Sequence, residues 1–230
     1  MKKINLIICI LSLMLISLQN TQAQKKEFTN LKRYQEANEK LQALSKEENR
    51  VVFMGNSITD SWPESFFENK PYVNRGISGQ TTPQMLIRFR QDVIDLKPGL
   101  VVILAGTNDL AGNTGPATLE MITNNIKSMC EIASANNIKV IICSVLPATI
   151  FPWRPEVPDP ADKIIELNKR LRKYAKQEGH LYLDYYSDLV NSEKGLKDEY
   201  AKDAVHPNEA GYKVMGKLAE KVIGEIFKKR

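Results

Sequence analysis

Four short, unbroken apolar runs most constrain what this chain can fold into. They lie at residues 51–54, 101–105, 140–143 and 181–183, and none alternates apolar with polar side chains. A strand that is apolar at every position has both faces covered, as in a parallel sheet held between two layers of helices. A weaker fifth strand is expected at residues 72–74. Between the runs, apolar residues recur at helical spacing. Residues 82–96 carry Met85, Leu86, Phe89, Val93 and Leu96, and Lys97-Pro98-Gly99 stops them. Residues 119–135, 161–177 and 208–228 repeat the pattern, and a helix over about residues 30–44 precedes the first strand. Strand and helix alternating to the C-terminus predict an α/β protein: three α/β/α layers, a central parallel five-stranded sheet and right-handed crossovers.

The first 23 residues do not fit this scheme. Lys2 and Lys3 precede an apolar stretch over residues 4–18, and Thr21-Gln22-Ala23 places small residues where a signal peptidase reads. The stretch is shorter than the ~20 residues that span a bilayer. Residues 1–23 are therefore expected to be a secretory signal, with no stable membrane insertion after cleavage and a secreted or periplasmic destination. Residues 24–230 suit one domain. The net charge is +5 and falls to +3 without the two leading lysines. With no basic stripe interleaved with aromatics, nucleic acid is not an expected partner. Cys130 and Cys143 read as buried thiols rather than a bridge, and no Cys or His cluster has metal-ligand spacing.

In a parallel α/β sheet, ligands bind beyond the carboxyl ends of the strands. Those ends hold Gly55-Asn56-Ser57, Gly76-Ile77-Ser78-Gly79-Gln80, Gly106-Thr107-Asn108-Asp109 and Ser144, and Asp203-Ala204-Val205-His206-Pro207 precedes the last helix. All the polar, glycine-rich elements thus fall on one edge of the sheet. Ser57 suits a nucleophile at a strand-to-helix turn, though Ser57 and Asp60 equally fit a helix-capping box. His206 suits its general base, with Asp203 three residues earlier as the carboxylate that orients the imidazole, or as a plain turn former. The Gly79 N–H, the Asn108 amide and the Ser57 N–H suit donors to an oxyanion; equally, Gly79 suits a positive-φ turn and Asn108 a loop tie. Residues 147–160 form a proline-rich connection holding Phe151, Trp153 and Arg154. Trp153 and Arg154 are candidates to line a substrate site, or Trp153 simply packs the loop down.

These four blocks, in this order, resemble those of the SGNH (GDSL-like) hydrolases. Gly55-Asn56-Ser57 is similar to the family's GDS block, with Asn56 where aspartate is usual. Ile77-Ser78-Gly79, Gly106-Thr107-Asn108-Asp109 and Asp203-Ala204-Val205-His206 resemble the other three. The flavour looks like the branch of the platelet-activating-factor acetylhydrolase catalytic subunits. The resemblance implies a flavodoxin-like fold, Ser57 as nucleophile, His206 as base, Asp203 as its orienter, Gly79 and Asn108 as oxyanion donors, and no metal or organic cofactor. It implies a Ser-His-Asp esterase; expected export and the absence of a lipid-binding apolar segment point to a short acyl ester, acetyl above all, of a small molecule or a carbohydrate. A lysophospholipase-like lipid acylhydrolase, an acyltransferase and a non-catalytic carbohydrate-binding protein remain open alternatives.

Overall fold

The structure is a computed structural model that describes residues 28–43 and 49–228. The expected signal at residues 1–23 lies outside the described residues. Among those described, no helix is long and apolar enough to cross a membrane.

After a 3-10 turn at Leu31–Tyr34 comes α1, Gln35–Ala43. Strand and helix then alternate: β1 Val51–Gly55, α2 Ser57–Asp60, β2 Tyr72–Gly76, α3 Thr82–Asp92, β3 Leu100–Leu104, α4 Thr107–Leu110 and α5 Leu119–Ala135. There follow β4 Lys139–Cys143, α6 Pro160–Glu178, β5 Leu181–Leu183, α7 Tyr186–Leu189 and α8 Glu209–Phe227. The five strands form one wholly parallel sheet in the order β2-β1-β3-β4-β5. This is the three-layer α/β arrangement that the apolar runs predict. The strand order reverses between β1 and β3, so the crevice opens beyond those two strand ends.

Alternate side chains of each strand feed two cores. Val52, Met54, Val101, Ile103, Val140 and Ile142 pack under α3, α5 and α6 through Phe89, Ile126 and Leu171. Val51, Phe53, Leu100, Val102 and Ile141 meet α8 through Met215, Ala219 and Ile223. Phe53 also anchors an aromatic cluster with Trp62, Phe66, Phe67 and Tyr72. The helix expected over residues 82–96 is broken: α3 ends at Asp92, and a separate 3-10 turn spans Ile94–Leu96. The tighter turn lets the chain reverse at Lys97, which takes φ 49°, and enter β3 at Leu100. Cys130 and Cys143 are free and buried.

Candidate active site

The turn after β1 is built on close approach. A Cβ on Gly55 would sit 2.0 Å from Thr59 Oγ1, and one on Gly76 would sit 2.1 Å from the Asp60 nitrogen. Only glycine at both strand ends lets α2 lie this close to the sheet. Asn56 caps α2 by accepting the Ile58 N–H at 3.2 Å. Ser57 is thus the first helical residue rather than the cap, and its hydroxyl is not spent on the backbone. The Ser57 N–H makes no hydrogen bond among the described residues. From the far side, the Tyr212 hydroxyl of α8 donates to the Ile58 carbonyl at 2.8 Å and ties the last helix to this turn.

Ser57 Oγ lies 3.0 Å from His206 Nε2. The other ring nitrogen, Nδ1, is 2.9 Å from Asp203 Oδ2 and 3.0 Å from Oδ1. A carboxylate only accepts, so Asp203 draws the ring proton to Nδ1 and leaves the Nε2 lone pair facing the hydroxyl. Asp203 is itself held in place: the Val205 and His206 N–H groups each donate to Oδ1 at 2.8 Å. Partial burial works to raise its carboxyl, but the bonds from the two main-chain N–H groups and the imidazole outweigh it and leave it below the ordinary carboxylate range.

Two further donors line the same cavity. Gly79 has φ 80°, and its N–H makes no hydrogen bond among the described residues. Its carbonyl accepts from Asn113 Nδ2 at 3.1 Å, while Ser78 beside it donates through N–H and Oγ to Asp60 Oδ2 at 3.2 and 2.6 Å. Asn108 is 3% exposed, and its Nδ2 donates to the Gln80 carbonyl at 2.9 Å. An amide carries two N–H groups, so the second remains for a ligand. Ser57, Gly79, Asn108, Asp203 and His206 line one cavity of about 500 Å³, with Trp153 on its rim. A nucleophile with a fixed base, facing preorganised donors, can carry out acyl transfer.

The Trp153 ring centroid is 6.4 Å from that of His206, and its Nε1 donates to Asn113 Oδ1 at 2.8 Å. Trp153 is 40% exposed. Arg154 lies elsewhere. It lines an adjoining cavity with Phe28 and Arg33, and its guanidinium is engaged by Glu156 at 2.6 Å and the Gly112 carbonyl at 3.0 Å. Sequence reasoning did not assign a role to Gln80, Arg88, Asn113 or Lys202. Arg88 left a readable signal, a cation between Met85 and Phe89 on the apolar face of a helix, with Asp92 one turn on.

The family model for the GDSL-like lipase/acylhydrolase family matches residues 53–214. A GDSL-like lipase from Bacteroides thetaiotaomicron has a solved structure that superposes with a TM-score of 0.84 at 49% identity, covering 87% of this chain and 100% of that one. An acetylxylan esterase from Xylanibacter ruminicola is 26% identical over 207 residues, 74% of this chain and 42% of that protein. A Streptococcus structure named for platelet-activating factor has a TM-score of 0.72 at 22% identity, covering 91% and 98% of the two chains, a likeness of fold alone. The chain spans less than two thirds of the length of the curated relatives it matches.

Proposed function

The chain belongs to the GDSL-like lipase/acylhydrolase family, and from that premise we propose that it is a serine esterase with Ser57 as nucleophile, His206 as general base and Asp203 as its orienting carboxylate. The observation that carries this reading is the continuous hydrogen-bonded chain from the Ser57 hydroxyl through both ring nitrogens to Asp203. Ser57 Oγ attacks the ester carbonyl carbon while His206 Nε2 takes its proton. The carbonyl oxygen becomes an anion held by the N–H groups of Gly79 and Ser57 and the free N–H of Asn108. As the tetrahedral species collapses, His206 gives its proton to the leaving alcohol oxygen and the acyl group stays on Ser57. Water then attacks the acyl-enzyme, again losing a proton to His206, and the acid departs as Ser57 recovers its proton.

For the substrate, the proposal is a short acyl ester, acetyl above all, on a carbohydrate outside the cytoplasm, reached through the signal at residues 1–23. Support comes from the polar side chains that the cavity lining holds beside its apolar surface: Ser57, Ser61, Ser78, Asn108, Asn113 and Lys202. Those groups can hydrogen-bond the hydroxyls of a polyol, and the Trp153 face suits a sugar ring. Arg154, beyond the cavity, is proposed to meet only a substrate long enough to reach the adjoining one. A lipid acylhydrolase is the second reading. It is favoured by a neighbouring cavity of about 700 Å³ that shares Ser61 and Tyr212 and is walled by Trp62 and Phe66. Rates on p-nitrophenyl esters of rising chain length, set beside release of acetate from acetylated oligosaccharides, separate the two. Preference for long acyl chains removes the carbohydrate reading, and no turnover of any ester removes the esterase itself.

A further inference from the structure

The Gln80 side chain takes no part in the reaction just described, yet it is 4% exposed and both of its polar atoms are engaged. Its Nε2 donates to the Thr29 carbonyl at 2.7 Å, and its Oε1 accepts Arg88 Nε at 2.5 Å. Its main-chain N–H donates to the Ile77 carbonyl at 3.3 Å, which closes the turn that carries Gly79. Its main-chain carbonyl accepts Asn108 Nδ2 at 2.9 Å. Gln80 is therefore next to Gly79 in sequence and bonded to Asn108 in space, touching both donors assigned to the oxyanion from behind.

Arg88 carries this frame further. It is wholly buried, and its Nη2 donates to the Gly55 carbonyl at 3.0 Å and the Arg75 carbonyl at 2.9 Å. Its Nη1 meets Asp92 Oδ2 at 2.8 Å, which balances the charge. One rigid guanidinium thus fixes the end of β1 just before Ser57, the end of β2 just before the Gly79 turn, and Gln80 itself. Burying a cation costs desolvation, and an apolar side chain would fill the space as well. What the apolar residue would not supply is a fixed distance between nucleophile and donors, and a shift of about 1 Å there costs on the order of 100-fold in rate.

We propose that Gln80, clamped by Arg88 and the Thr29 carbonyl, is a positioning residue that aims the Asn108 N–H and the Gly79 N–H at the carbonyl oxygen of an ester on Ser57. The inference rests on the esterase reading above. Gln80 acts through Asn108, so the two residues are coupled, and its contribution appears in kcat rather than KM.

The test is a double-mutant cycle with p-nitrophenyl acetate. Gln80→Met keeps the volume and removes both side-chain bonds; it is expected to lower kcat roughly 10- to 100-fold with KM within about twofold. In an Asn108→Ala background the same change is expected to cost several-fold less, because one of the two donors it serves is gone. Gln80→Glu keeps the acceptor for Arg88 but loses the donor to the Thr29 carbonyl, and is expected to recover only part of kcat. Affinity for a boronic acid, whose tetrahedral adduct on Ser57 mimics the oxyanion, is expected to fall in step with kcat/KM across the series. Equal losses in both backgrounds, a loss confined to KM, or an unchanged kcat in Gln80→Met overturns the inference. Arg88→Lys is a harsher probe, and where it does not fold the Gln80 pair decides. Native protein that turns over no ester and resists a fluorophosphonate serine probe overturns the esterase reading with it; a native enzyme that Gln80→Met leaves unchanged overturns this inference alone.

Discussion

Asn56 caps α2 and Ser57 does not: the amide oxygen of Asn56 accepts the Ile58 N–H at 3.2 Å, so the serine hydroxyl one residue later is left to His206. Two adjacent residues divide the tasks that the sequence alone allows Ser57 to hold together. The division makes the two positions separable by mutation. Ser57→Ala leaves the cap in place and is expected to keep the unfolding midpoint while reducing esterase turnover by roughly 10⁴- to 10⁶-fold. Asn56→Ala is expected to cost about 1 kcal/mol of stability. Thermal melts beside p-nitrophenyl acetate assays check both; a folded Ser57→Ala protein with near-native turnover removes the nucleophile assignment.

Asn108→Ala removes one of the proposed oxyanion donors. We expect kcat to fall about 10²- to 10³-fold with little change in KM, since the bond strengthens only as charge develops on the oxygen. Steady-state kinetics on a single small ester is sufficient. A rise in KM at constant kcat would assign Asn108 to ground-state binding instead.

Asp203→Asn keeps the shape of the loop but no longer dictates which ring nitrogen bears the proton. Turnover is expected to drop by roughly 10²- to 10⁴-fold, with the structure intact by circular dichroism. A loss under twofold would reduce Asp203 to a turn former.

Asp109 gives a prediction with a definite sign. Burial pushes its carboxyl up to about 6, against the pull of the bonds from the Thr82 N–H and hydroxyl. The folded protein therefore holds a proton that the unfolded chain has released between about pH 4 and 6. The stability this group contributes is complete below pH 4 and lost as the pH rises through 6. Asp109→Asn cannot titrate, so its stability relative to the native protein is expected to improve by about 3 kcal/mol from pH 4 to 6 and then level off. Urea unfolding across pH 4–8 reads this difference, and a flat or falling curve contradicts it.

Trp153→Ala is expected to reduce kcat/KM for an acetylated oligosaccharide by about three- to tenfold more than for p-nitrophenyl acetate, because only the sugar has a ring to lay on the indole. Equal losses would show that Trp153 only packs its loop.

Much of this was legible in the chain because it depends on local pattern. Unbroken apolar runs mark doubly covered strands, and the polar segments following them must then share one edge. Val93 marks the limit: its helix breaks there because β3 must start at Leu100, which is a demand of the sheet and not of the helix. The frame behind the donors was hidden for a different reason. Gln80 and Arg88 act through main-chain carbonyls at Thr29, Gly55 and Arg75, and any residue type supplies a carbonyl. Arg154 is a residue type suited to anions, and in the fold its Nε and Nη1 meet Glu156 and the Gly112 carbonyl, partners that the sequence does not single out.

The hydroxyl at the end of β1 and the imidazole just before α8 are 149 residues apart in the chain. Synthesis proceeds from the N-terminus, so Ser57 emerges long before His206. Through that interval the Ser57 hydroxyl has no His206 imidazole to bond, and the pair forms only when the segment before the final helix reaches the end of β1.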